Sequence, residues 1–266
     1  MIRIKDTTHK RISAERILFP VHLVMDSDAS ILRYMRFSKV QPQLKRTSVE
    51  DVAYTLVSDL TEDADQLQQR FSKEVRYEIR RANKEEIKTC FYDSATLRQD
   101  PALVQGLKET YMHFCDVCGN QALKSVFDED LLQVYAENGC AAITKAEFEN
   151  GCVYHAYFFD DATAVLWYSA SDFRNPNVDR NAAARANKLL HYKDMCRFKE
   201  QGVQMYDWGN VSTKDNLSPN GIDKFKASFG GHYQEVYSYT VGNDMLGRIL
   251  VAGKRILNKL SGGQQH

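Results

Sequence analysis

From Cys140 to Ser171 the chain carries three dense apolar segments, CAAITKAE, CVYHAYFF and TAVLWYSAS, each rich in β-branched or aromatic residues. The pattern predicts three consecutive strands. The turn sequences between them, ENG and DDAT, are short enough to close hairpins, so the three form an antiparallel meander. Around the meander the period lengthens. FRNPNVDR reads as a loop, and RNAAARANKLLHYKDMCRFKEQG as a long helix that stops at Gly202, as a C-terminal glycine would stop it.

The same reading organises the rest. Residues 62–84 predict two short helices broken near Ser72, an N-cap for KEVRYEIRRANK. A strand over Ile87–Asp93 and helices from about Pro101 to Cys118 and Asp128 to Asn138 lead into the meander. After the long helix come a short strand Val203–Gly209, a polar loop with Pro219 and Gly221, a helix around Asp223–Phe229 and a strand HYQEVYSYTV. The first sixty residues predict two strands, Ile17–Met25 and Val52–Leu60, and Asp244–Leu260 predicts a final helix. The class is α+β: an N-terminal strand-rich extension over 1–61, a main domain over 62–243, and a C-terminal helix with a tail over 244–266.

Charge narrows the function. The chain has 35 Lys+Arg against 35 Asp+Glu, a balance that excludes a globally basic nucleic-acid binder and an acidic disordered chain. No apolar run approaches a membrane span, and the N-terminal MIRIKDTTHKR lacks the apolar centre of a signal peptide, so the expected location is cytoplasmic. The six cysteines are scattered through core-like segments, which reads as reduced thiols. Cys115 and Cys118 form a CxxC without a second pair or a His at zinc-ribbon spacing, so no metal is expected.

Three features could carry chemistry. On the helix after Ser72, Phe71, Val75, Ile79 and Ala82 fall on one side and Lys73, Arg76, Arg80 and Lys84 on the other. This basic stripe is either a solvated face or a ridge meeting a phosphate-bearing ligand. At Asp179–Arg185 a helix N-terminus follows the meander, its first-turn amides unpaired, flanked by Arg180 and Arg185 and lined by Ala182, Ala183 and Ala184. It is an anion seat or simple packing of alanines on the sheet. The final helix sets Met245, Ile249, Ile256 and Leu260 on one face beside Arg248, Arg255 and Lys259; it either docks on the domain or lies weakly on the inner face of a membrane.

Four strings then resemble, in order, the FemAB-like branch of the GNAT acyltransferases, the peptidoglycan interpeptide-bridge transferases and their relatives. They are DLTEDADQLQQRFSKEVRYEIRRANKE, RNAAARANKLLHY, YDWGN and GIDKFKASFGG. The resemblance spans roughly Asp59 to Val241. It implies a GNAT fold: a central, mixed, mostly antiparallel sheet that splays beside the meander's last strand, flanked by helices, with the N-terminal strands as an incomplete second unit. It also implies acyl transfer to a primary amine, with the donor in the splay against Trp167, Tyr168 and Ser169. The donor's diphosphate would lie near Arg180, Ala183, Ala184, Arg185 and Asn187. Lys226 and Phe225 match the family's FK pair, and Arg76, Arg80 and Arg81 its basic helix.

Two departures bear on the donor. Gly209-Asn210 stands where a double glycine is frequent, and Ala183 and Arg185 replace diphosphate-loop glycines of acyl-CoA enzymes. Members that use aminoacyl-tRNA have two complete units, whereas this chain has room for one and a fragment. The expectation is therefore acyl-CoA, as acetyl-CoA, acylating an amino sugar or another cell-envelope precursor. An aminoacyl-tRNA-dependent transferase and a non-catalytic binding module are the alternatives. Acylating an amine needs a base, for which Asp207, then His155 and Asp172, are the candidates, and an oxyanion donor, for which the amides of Val165–Ser169 and Lys226 serve. Tyr206 and Tyr168 are candidate acids for the leaving group.

Overall fold

The computed structural model describes residues 1–6, 12–119, 121–212 and 221–262, with side chains up to 258. The loop holding Pro219 lies outside them. Along the chain run β1 (Ile2–Asp6), β2 (Ala14–Leu18), β3 (Ile31–Phe37), α1 (Pro42–Lys45), β4 (Ser48–Asp59), α2 (Ala64–Arg70) and α3 (Lys73–Ala82). Next come β5 (Lys88–Tyr92), α4 (Ser94–Gln99), α5 (Pro101–Val117), α6 (Gln121–Lys124), α7 (Glu129–Glu137), β6 (Ala141–Phe148), β7 (Gly151–Phe159) and β8 (Thr163–Ser171). The remainder is α8 (Arg180–Glu200), β9 (Met205–Val211), α9 (Gly221–Ala227), β10 (His232–Gly242) and α10 (Met245–Gly262). Two compact units result, one from Met1–Thr55 with Tyr233 onward, the other from Leu56–Ser212 with 221–232.

In the first unit β1 pairs antiparallel with β2, β2 parallel with β3, and β3 antiparallel with β10. Ile17, Leu32, Tyr34, Phe37, Leu44 and Tyr239 form its core. The strand expected over Ile17–Met25 ends at Leu18, because Phe19 takes a positive φ of 51° and Pro20 follows, which lacks a ladder donor. β1 and β3 escaped the reading because charges interrupt their apolar alternation, as in ILRYMRF.

The second unit holds the meander. β5, β6, β7 and β8 pair antiparallel in chain order, and β9 returns parallel to β8 after α8. The Glu149–Asn150 turn closes β6 on β7, with Asn150 at φ 60°, and Asp160 caps the next turn through the amides of Ala162 and Thr163. Strand alternation sends Val153, His155 and Tyr157 toward α8 and Tyr154 and Phe158 toward α5 and α7. α3 docks on α8 through Val75, Ile79 and Ala82, all buried, and through Glu74–Lys188 and Glu85–Arg185 pairs at 2.9 Å. The apolar face read from the sequence is thus the docking face.

Candidate active site where two strands part

β8 runs to Ser171 and β9 to Val211, yet their parallel ladder has only three rungs among the described residues, Thr163–Met205, Ala164–Tyr206 and Val165–Asp207. Two local devices end it. Opposite β7, Tyr168 pairs with Ala156 and Leu166 with Tyr157, so Trp167 is the extra residue of a bulge that bends β8 and raises its twist. On β9, Gly209 has φ 72°, and a Cβ there would lie 2.7 Å from the Leu166 carbonyl oxygen. Glycine alone permits both the backbone and the approach. Past that contact the strands separate, leaving an opening edged by Trp167–Ser171 and Gly209–Val211.

Lys226, on α9, reaches this edge: its Nζ donates to the Asn210 carbonyl at 2.7 Å and lies 4.0 Å from the Cβ position of Gly209. Phe225, beside it, packs on His191 with ring centroids 5.6 Å apart. The FK pair thus spans from the opening to a buried ring on α8.

Beneath the sheet on the α8 side lies a chain of buried polar groups. His191 Nδ1 meets the Tyr206 hydroxyl at 2.8 Å, Tyr206 meets Tyr157 at 2.8 Å, and Tyr157 donates to Asp194 Oδ2 at 2.6 Å. The same oxygen accepts Thr144 Oγ1 at 3.0 Å and faces His155 Nδ1 at 2.8 Å. A carboxylate only accepts, so Nδ1 carries the proton toward it. His155 Nε2 lies 2.8 Å from Asn187 Oδ1, which places Asn187 in this chain. Burial holds the His191 pKa well below the usual imidazole range, helped by repulsion from His155 and Lys226, and raises Tyr157 and Tyr206 well above the phenol range. The groups are arranged to pass a proton along hydrogen bonds while His191 stays neutral.

His155, His191 and Asp194 bring one ligand atom each within 4.8 Å of one another. The two imidazoles stack at 3.9 Å and 24°, so their in-plane lone pairs run side by side and do not converge. The trio fits hydrogen bonding, not tetrahedral metal ligation.

The other expected residues fall elsewhere. Asp207 pairs with Val165, which pairs with Phe158, so it faces the side opposite His155, where its Oδ1 accepts the Gly209 amide at 2.8 Å and braces the bend. Asp172 accepts the Cys152 amide at 2.8 Å and closes the end of the meander. The Tyr168 hydroxyl donates to the Val126 carbonyl and accepts the Asp128 amide, and burial pushes its pKa up to about 12. Trp167, half-buried, stacks on Tyr168 at 4.7 Å. Ser169, half-exposed, is in register with His155 and so lies on the α8 side.

At the start of α8 the seat already has an anion. The Asp179 carboxylate caps the Asn181 amide at 2.8 Å. Arg185 is buried and paired with Glu85 at 2.9 Å and, more loosely, with Asp179 at 3.9 Å; Ala183 is buried, Ala184 half-buried, and Arg180 exposed. On α3, Arg80 and Arg81 are exposed, Arg76 is half-buried, and Arg81 pairs with Glu85 at 3.5 Å. Lining a separate cavity of about 400 Å³ along α8 and β5 are Thr89, Phe91, Leu190, Lys193, Asp194 and Arg197.

Sequence reasoning missed Asp194, Tyr157, His191 and Thr144, which lie far apart along the chain. Register carries a trace of them, since Thr144 pairs directly with His155.

No protein-family model and no curated protein sequence matches the chain. Among solved structures, FemX matches with a TM-score of 0.58 at 12% identity, over 92% of this chain and 85% of FemX. The C-terminal DUF2156 domain of a protein assigned as a lysylphosphatidylglycerol synthetase from Agrobacterium fabrum matches with a TM-score of 0.54 at 10% identity, over 96% of this chain and 85% of that one. A conserved protein of unknown function from Bacteroides thetaiotaomicron matches at 0.52 and 12%, over 79% and 69%. At such identities the likeness is one of fold: the chain has a GNAT-type fold, of the kind seen in FemX.

Proposed function

We propose that this chain is an acyltransferase whose donor lies between β8 and β9, its carbonyl directed at the amides of Trp167–Ser169. The observation that carries the reading is the parting of these strands at the Trp167 bulge and Gly209, with the Lys226 ammonium at the edge. Strand amides freed from a ladder are fixed donors, and a fixed donor aimed at a developing oxyanion contributes about 2.7–4 kcal/mol in known cases. A lysine nearby adds a point charge.

In the reaction the amine nitrogen attacks the thioester carbonyl, the C–S bond breaks, the thiolate leaves with a proton, and the amine loses one. The neutral His191, linked through Tyr206 and Tyr157 to Asp194 and His155, supports a role for this chain of groups in removing that proton. This chain of groups, and not Asp207, the first base candidate, is the route we favour, because Asp207 faces away from it and braces the Gly209 bend. The acceptor we favour is a primary amine on an amino sugar or cell-envelope precursor, with acetyl-CoA as donor.

One feature favours a second donor. The Asp179 carboxylate at the start of α8 repels a diphosphate there, and the exposed Arg80 and Arg81 offer phosphate contacts elsewhere. An aminoacyl ester on tRNA fits that charge distribution, and one fold relative carries the name lysylphosphatidylglycerol synthetase.

Incubation with acetyl-CoA, longer acyl-CoAs and a panel of amino-sugar nucleotides, with thiol release as readout, tests the first reading. Release that depends on the amine and falls about 10²-fold in Lys226→Ala supports it. Silence with every acyl-CoA, together with tRNA binding that weakens steeply with salt, favours the second.

A further inference from the structure

The first unit ends in a helix whose greasy side points outward. In α10, Met245 is 81% exposed, Leu246 48%, Ile249 60%, Ile256 60% and Leu257 66%. At 100° per residue, Met245, Ile249 and Ile256 lie within about 40° of one another, and Leu246 and Leu257 widen the stripe to roughly a third of the circumference. Arg248 and Arg255 flank the stripe on one side and Lys254 on the other, and no Asp or Glu occurs in Met245–Gly262.

This orientation is enforced from the opposite side. A Cβ on Gly247 would lie 1.9 Å from the Ser30 carbonyl oxygen, and one on Gly242 would lie 2.3 Å from the Arg248 amide, so backbone is packed on backbone. Val251 is buried, and Asp244 fixes the first turn by accepting the Gly247 amide at 2.7 Å and the Ser30 hydroxyl at 2.6 Å. Arg255 donates to the Arg46 carbonyl. Rolling the stripe inward would break all of these.

We propose that α10 is an interfacial helix that seats this protein on an anionic phospholipid surface, the apolar stripe among the acyl chains and Arg248, Lys254 and Arg255 at the headgroups. Long basic side chains flanking an apolar stripe suit such an interface, their stems lying along it while the charges reach the phosphates. A second copy of the chain is a poor partner for the same face, because its cations would meet cations. Among the described residues no helix is long and apolar enough to cross a membrane, so the helix lies on the surface.

The test is co-sedimentation of the full chain with vesicles of phosphatidylglycerol and phosphatidylcholine in equal parts, beside vesicles of phosphatidylcholine alone. The expected result is binding to the mixed vesicles that weakens with salt, falls about fivefold for each of Arg248→Ala and Lys254→Ala, and is lost in Ile249→Glu. Because Ile249 is exposed, the variant should retain the wild-type unfolding midpoint, which is measured alongside. Absence of binding to the mixed vesicles at low salt, unchanged binding by folded Ile249→Glu, or a dimer in solution that Ile249→Glu disperses would each overturn the proposal.

Discussion

The two long helices invert each other. α8 buries Arg185, Lys188, His191 and Asp194, whereas α10 exposes Met245, Ile249, Ile256 and Leu257. Ordinary amphipathic logic assigns polar residues to water and apolar ones to the core, so each helix breaks the rule in the opposite direction. The difference teaches that a buried polar residue persists where every partner is supplied, and an exposed apolar one where backbone packing has already claimed the other side. On α8 the partners are Glu85, Glu74, Tyr206 and the donors around Asp194. On α10 the claim is made by Gly247 against Ser30.

The largest effect should come from removing a hub on α8. Asp194→Ala leaves the donors of Thr144, Tyr157 and His155 buried without their acceptor, and should cost about 3–5 kcal/mol in urea unfolding. A loss below about 1 kcal/mol would mean the groups repack freely.

Next in size is a pH effect. His191 is held neutral in the fold and titrates near the ordinary imidazole value of ~6.5 when unfolded. Below that value the unfolded chain takes up a proton the folded one refuses. Stability should therefore be pH-independent from this group above ~6.5 and fall by up to about 1.4 kcal/mol per pH unit below it. Unfolding at pH 7.5 and 5.5, compared between wild type and His191→Gln, reads this out as a shallower slope in the variant.

Lys188→Met sharpens the contrast further. The Lys188 side chain is nearly buried, while its partner Glu74 remains 77% exposed. Losing the pair while keeping the apolar stem should change stability by less than about 1 kcal/mol in either sense. Smallest of all, Ile249→Glu on α10 should stay within about 0.5 kcal/mol of wild type, since the side chain is mostly exposed.

Both helices were readable from the chain, and for α10 the spacing left two roles open, docking on the domain or lying on a membrane. α8 stops where Gly202 predicts, with φ 87°, and of the stripe read on α10 Met245, Ile249 and Ile256 share one exposed face, while the Leu260 side chain lies outside the described residues. Which side of α10 docks depends on two glycines whose worth is close backbone approach, and hydrophobic spacing carries no record of that. The network around Asp194 is invisible for a related reason. His155, Asp194 and Tyr206 come from three elements, and only the sheet register and the return of β9 bring them together. The meander and its turns were legible because dense strands and tight turns are local signals, whereas the parting beside Trp167 was expected only from the family resemblance. The pairing of Arg185 with Glu85 left no trace in the sequence because the two lie a hundred residues apart.

The central claim is that the gap between β8 and β9 seats the donor. Backbone hydrogen exchange, followed with and without acetyl-CoA and separately with an aminoacyl-tRNA, addresses it directly. The account predicts that one of these donors slows exchange at Trp167–Ser171 and Gly209–Val211. Protection confined to the cavity along Thr89–Phe91 and α8, or none with either donor, would contradict it.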